Sequence, residues 1–144
     1  PICIDAIGVG TSALDFVRGL NLRVVPVVGS EGSTGTDETG SLRFKNKRAE
    51  MYWRMREALD PTNPNAISLP PDNELLGDIC AVRYKVVQMG KEAGILIRDK
   101  DEIRELLGRS PDKGDAVAMT FVDGVPTVGA PDASRFRELR GLNR

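Results

Sequence analysis

The stretch PICIDAIGVGTSALDFVRGLNLRVVPVV, residues 1–28, decides how the fold is read. Pro1 to Asp5 is a short apolar run closed by an acid. Glycines follow, and Ala13, Leu14, Val17 and Leu20 then recur at helical spacing. Leu22 to Val28 is rich in valine and reads as a second buried strand, parallel to the first because a helix joins the two. Pro26 within it points to a bulge or a sheet edge. Strand, tight turn, helix and strand in this order predict an α/β domain.

Working outward, Gly29 to Ser41 is almost entirely Gly, Ser, Thr, Asp and Glu, a composition that predicts a mobile surface loop. Lys47 to Leu59 (KRAEMYWRMREAL) is built of strong helix formers, with Ala49, Tyr52, Trp53 and Leu59 available for a buried face. DPTNPN stops that helix. A short helix is predicted around Asn73 to Cys80, and AVRYKVVQMGKEAGILIRDK reads as a hairpin. Asp101 to Leu107 is a short charged helix ended by Gly108. Ser110 and Pro111 then offer an N-cap and a first-turn proline, and Ala116 to Val122 continues as a buried helix. Domain boundaries are expected at 1–122, with a C-terminal tail over 123–144 whose arginines suggest a basic, exposed end.

The chain has 144 residues, 20 Lys and Arg against 21 Asp and Glu, and a formal net charge of -1, so any nucleic-acid contact must be a local patch. No apolar run approaches the roughly 20 residues of a membrane span. Histidine is absent, which removes imidazole bases and nucleophile-histidine schemes and leaves carboxylates to carry any chemistry. Cys3 and Cys80 lie among apolar neighbours and read as buried free thiols of a reducing cytoplasm. The chain opens on Pro1 without a Met, which suggests that preceding elements are missing.

Four constellations could carry function. Asp5 stands at the C-terminal end of the first strand, the edge where open α/β sheets bind ligands, and its oxygens suit a hard divalent cation; its other reading is a turn or capping residue. Asp112 and Asp115, at i and i+3 of a helix start, are expected to face one side, where a cation would offset their repulsion. They could equally be a first-turn acid and a solvated surface acid. Gly114 between them predicts a close approach by another backbone or a ligand. GVGTSA offers Gly8, Gly10 and Ala13 as a phosphate cradle with Glu31 as a ribose acid, although Asp5 would repel a pyrophosphate there. Finally Arg43, Lys45, Lys47, Arg48, Arg54 and Arg56, broken only by Glu50 and enclosing Tyr52 and Trp53, form either a solvated helix face or a phosphate-binding patch.

Taken together, IDAIGVG, FKNKRAEMYWRMREAL, ELLGDICAVRYKV with its hairpin, and KDEIRELLGRSPDKGDAVAMTF resemble, in the same order, the nuclease domain of the large terminase subunit of tailed bacteriophages, a member of the RNase H-like superfamily. The resemblance spans residues 1–122. It implies an RNase H-like mixed sheet flanked by helices and truncated at its N-terminus, because the family's first catalytic acid lies on a strand upstream of Asp5. Carried over, Asp5, Asp115 and Asp112 are the catalytic and metal-binding acids, holding Mg²⁺ or Mn²⁺, two ions in the complete domain. Lys45, Lys47, Arg48 and Arg54 are the DNA-binding residues. The function implied is metal-dependent cutting of concatemeric double-stranded DNA in the host bacterial cytoplasm. The small terminase subunit and the portal protein are then partners in the full machine, and a homodimer could cover exposed edges. A nucleotide-binding module using GVGTSA and a non-catalytic docking fragment are the competing readings. If the acids converge without metal, one of them is expected to have a raised pKa.

Overall fold

The computed structural model describes residues 1–8 and 10–122. The 123–144 tail, its arginines and the boundary before it lie outside the described residues.

The first unit forms as the apolar runs dictate. β1 (Ile2–Asp5) and β2 (Val24–Val27) pair in parallel, Ile2 opposite Val24 and Asp5 opposite Val27, with α1 (Gly10–Gly19) as the crossover. Pro26 stands in β2, an edge strand of this two-stranded ladder, where a missing N–H is tolerated. Of α1 only Leu14 is buried, and Phe16 is left largely exposed.

The second unit is a mixed three-stranded sheet in the order β3-β5-β4. β3 (Leu42–Phe44) runs parallel to β5 (Glu92–Ile97), and β4 (Tyr84–Met89) pairs with β5 as the expected hairpin. Gly90 makes its turn at φ 67, a left-handed conformation open to glycine without a Cβ clash. The mixed sheet is thus this unit, and β1 and β2 form their own parallel ladder.

Four helices complete the domain: α2 (Lys47–Ala58), α3 (Asn73–Ala81), α4 (Lys100–Leu107) and α5 (Asp112–Met119). α2 is started by Asn46, whose side chain accepts the Ala49 N–H at 2.9 Å. Its buried residues face several directions rather than one stripe. Ala49, Met51, Tyr52, Trp53 and Met55 join Phe44, Ile95, Ile97, Val27 and Ala118 in one core, and Leu59 only packs at its border. Burying a side chain such as Phe44 or Ile95 completely contributes about 1.5–3 kcal/mol each.

Several expectations are corrected. Gly29–Ser41 is not a loose loop. Ser33 donates to the Glu50 carboxylate at 2.7 Å, and Asp37 accepts the N–H groups of Ser41 and Leu42 at 2.9 Å each. Polar residues cannot bury apolar surface, but they can satisfy a buried carboxylate, and Glu50 is 1% exposed. Ser110 does not cap α5: Pro111 holds the N-cap position with no side-chain bond of its own. α5 ends at Met119, with Ala118 buried and Ala116 exposed. Both cysteines are free, but Cys80 is exposed and Cys3 only partly covered, because the outer side of α3 faces solvent.

Candidate functional site

β1 and α5 pack against each other, which brings residues from the two ends of the described chain to one place. A cleft of about 560 Å³ opens there, lined by Asp5 from the end of β1, Asp115 from α5, Arg48 and Tyr52 from α2, and Lys100 from α4. Arg83, Lys85 and Arg98 line the same cleft, as do Asp99 and Glu102.

Asp5 is exposed and accepts the Ile7 N–H at 3.1 Å on one carboxylate oxygen, so it is both the turn residue and a carboxylate presented to the cleft. Asp115 is more enclosed, its side chain 18% exposed. Its Oδ1 accepts the Tyr52 hydroxyl at 2.7 Å and an Arg48 N–H at 3.4 Å, while Lys100 Nζ stands 2.6 Å from Oδ2. Burial raises the Asp115 carboxyl, but Lys100, Tyr52 and Arg48 together outweigh it and hold its pKa below the usual value. The expected raised pKa is therefore overturned at Asp115, because cations rather than another carboxylate surround it. Tyr52 is shifted the other way: burial, then the charge and hydrogen bond of Asp115, keep its phenol protonated, with Arg48 opposing. Tyr52 is thus a fixed donor.

The structure does not place the three acids together. Asp112, the first residue of α5, is exposed and is not among the residues lining the cleft. Asp112 stays in solvent at the first position of α5, while Gly114 between the two acids is packed onto α3. There Asp78 Oδ2 accepts the Gly114 N–H at 3.0 Å. Gly114 does mark a close approach, since a Cβ on it would lie 2.9 Å from Asp78 Cβ.

The phosphate cradle is corrected too. A Cβ at Gly10 would lie 1.6 Å from the Asp5 carbonyl oxygen, so this glycine serves the packing of α1 on β1, and the Gly10 and Thr11 N–H groups donate to the Ile7 and Gly8 carbonyls at 3.4 and 3.2 Å.

The basic cluster is not a continuous patch. Lys47 and Arg54 reach the buried Glu50 at 3.1 Å and 2.7 Å, Arg43 pairs with Glu92 at 2.9 Å, and Arg48 turns into the cleft. Lys45 is exposed, away from the cleft lining. A buried carboxylate must be neutralised, and Glu50 takes two of the four residues expected to bind DNA.

Sequence reading missed Tyr52 as an orienting donor and missed Lys100, Arg98, Arg83 and Lys85 altogether. The available signal was their position: Arg98 and Lys100 follow the C-terminal end of β5, and Arg83 and Lys85 begin β4 beside it. As donors to a hard cation, the carboxylates of Asp5 and Asp115 are of the right kind. Among the described residues, however, no three His, Cys, Asp or Glu side chains gather as a metal-holding group, so they supply part of a ligand set and not all of it.

No protein-family model matches the sequence, and no curated protein matches it. Solved structures do. The nuclease domain of the large terminase subunit gp2 of bacterial virus Sf6 superposes with a TM-score of 0.61 at 20% identity, over 83% of this chain and 63% of that one. A point mutant of the same domain with manganese gives 0.59 at 20% identity, over 83% and 64%. The mutant with manganese and beta-thujaplicinol gives 0.59 at 19%, over 83% and 63%. The chain therefore has the fold of a phage terminase nuclease domain, the RNase H-like architecture expected from the sequence, and spans less than two thirds of the length of these structures.

Proposed function

We propose that this chain carries the cleft of a metal-dependent endonuclease that cuts double-stranded DNA for a phage or prophage packaging terminase. The observation that supports it most directly is the convergence of Asp5 and Asp115 with Arg48 and Lys100 on one cleft of this fold. Asp5 and Asp115 are the residues to hold Mg²⁺ or Mn²⁺. What a bound divalent ion supplies is an attacking water that loses its proton near neutral pH and positive charge against the leaving oxygen. The chain's own residues do the rest. Tyr52 and Arg48 fix the orientation of Asp115, and Lys100 keeps it ionised while bringing positive charge into the cleft. With no histidine in the chain, protons pass through carboxylates and water. Concatemeric viral DNA is the substrate this reading assigns, with the small terminase subunit and portal as partners in the host cytoplasm.

The test is plasmid cleavage with Mn²⁺ or Mg²⁺. Cutting by the chain alone is expected to be weak, because two carboxylates leave most of each ion's coordination to water. Asp5→Asn and Asp115→Asn should each abolish what remains, whereas Asp112→Asn should not. Robust cleavage surviving both Asp5→Asn and Asp115→Asn would show that the chemistry lies elsewhere.

A further inference from the structure

A second cavity of about 410 Å³ opens between α2, the end of α3 and the start of β4, and it shares Tyr52, Arg83, Tyr84 and Ile97 with the cleft. Its wall is aromatic. Trp53 and Tyr84 meet edge to face with ring centroids 5.0 Å apart, and Tyr84 leaves 52% of its surface open. The Arg56 guanidinium lies 4.7 Å from the Trp53 ring centroid. Whereas Arg43, Lys47, Arg48 and Arg54 are all committed to carboxylates, Arg56 and Arg83 have no ion-pair partner among the described residues. Arg83 donates to the carbonyls of Cys80 and Val82 at the end of α3, which fixes its position without pairing it to a carboxylate. Asp60, the one acid lining this cavity, is held by the hydroxyl and N–H of Thr62, and the Arg56 charge acts on it without closing to a salt bridge.

We infer that this groove binds the unpaired nucleotides of single-stranded DNA running on from duplex held in the Asp5–Asp115 cleft, an inference that rests on the cleft being a DNA site. An exposed ring beside guanidinium groups that no salt bridge occupies matches a single strand: the base presents a flat face to the aromatic, and the phosphate meets the cation. In a blunt duplex the bases are stacked inside and cannot reach Tyr84, so the groove separates unpaired from paired DNA. Stacking of this kind is tolerant of sequence. An apolar protein segment is the competing occupant, but nothing in such a segment calls for two arginines held outside any salt bridge.

Trp53 is the single tryptophan of the chain, so its emission reports on the groove. The chain, in EDTA to prevent cleavage, is titrated with a short mixed-sequence single strand and, separately, with a blunt duplex of equal length. The single strand should quench Trp53, and Tyr84→Ala should weaken its binding about tenfold. Arg56→Gln, in the groove but not in the cleft, should weaken single-strand binding several-fold, and duplex affinity measured by anisotropy should stay within about twofold. Unchanged single-strand affinity in both variants while the duplex still binds overturns this inference alone. Absence of binding by either DNA overturns it together with the nuclease reading.

Discussion

At the residue scale, Gly114 and Asp115 illustrate how one position serves packing and its neighbour serves the cleft. An exposed helical glycine is normally improved by alanine, by about 1 kcal/mol. At Gly114 the added methyl would meet Asp78 Cβ at 2.9 Å and come within 3.6 Å of the Tyr52 hydroxyl. Asp78 Cβ is next to backbone and cannot swing away, so overpacking, about 1–3 kcal/mol, exceeds the helical gain. Gly114→Ala should therefore destabilise the chain in urea unfolding, and stabilisation would mean that α3 and α5 are farther apart. Asp115 is tested by pH. Its pKa is held below the ordinary aspartate value, so its ion pairs add stability that is complete above that value and is lost as pH falls through the lower folded value. Asp115→Asn should accordingly melt well below the wild type at pH 7, with the gap closing toward pH 3. A gap of constant size would show that Lys100 and Arg48 do not stabilise its charged form.

At the scale of elements, α5 is held at its start by a different helix. Pro111 gives it no capping side chain, and Asp78 of α3 accepts the Gly114 N–H while facing Arg109 at 2.6 Å. Asp78→Ala should cost roughly 2–3 kcal/mol, because it leaves the buried Gly114 N–H without its acceptor and removes the nearer of the two carboxylates paired with Arg109. Asp112→Ala, one turn away and exposed, should stay within about 0.5 kcal/mol. Urea unfolding of the two variants side by side checks the contrast, and equal losses would assign the cap to Asp112. No local pattern could have shown this. Ser110-Pro111-Asp112 offers an N-cap, a first-turn proline and a first-turn acid, while the residue that does the work lies 36 positions before Gly114. The hairpin was legible because alternation and Gly90 are local, and α2 was legible from its helix formers. What α2 buries was not: Glu50 looks like a solvent-facing residue until Lys47, Arg54 and Ser33 are seen closing on it. Asp5 and Asp115 each stood out as an acid at an element end. Only the packing of α5 beside β1 makes them one site, and the resemblance, rather than their spacing, paired them in advance.

For the whole molecule, the decisive quantity is how the cations are distributed, since their total is balanced by acids. Lys47 looks like a DNA contact in sequence, yet it neutralises a carboxylate that is 1% exposed, whereas Lys85 is exposed, lines the cleft and has no ion-pair partner among the described residues. A phosphate contact releases condensed counterions, so each one lost reduces the slope of log K against log salt by about 0.9. Lys85→Ala should thus flatten the salt dependence of duplex binding by about one unit and leave unfolding nearly unchanged. Lys47→Ala should do the reverse, keeping the slope and lowering stability, because Glu50 would lose one of the cations that permit its burial. Fluorescence anisotropy on one duplex between about 50 and 200 mM salt, with urea unfolding of both variants, separates the two roles. A flattened slope in Lys47→Ala with none in Lys85→Ala would place the DNA along α2 and away from the Asp5–Asp115 cleft.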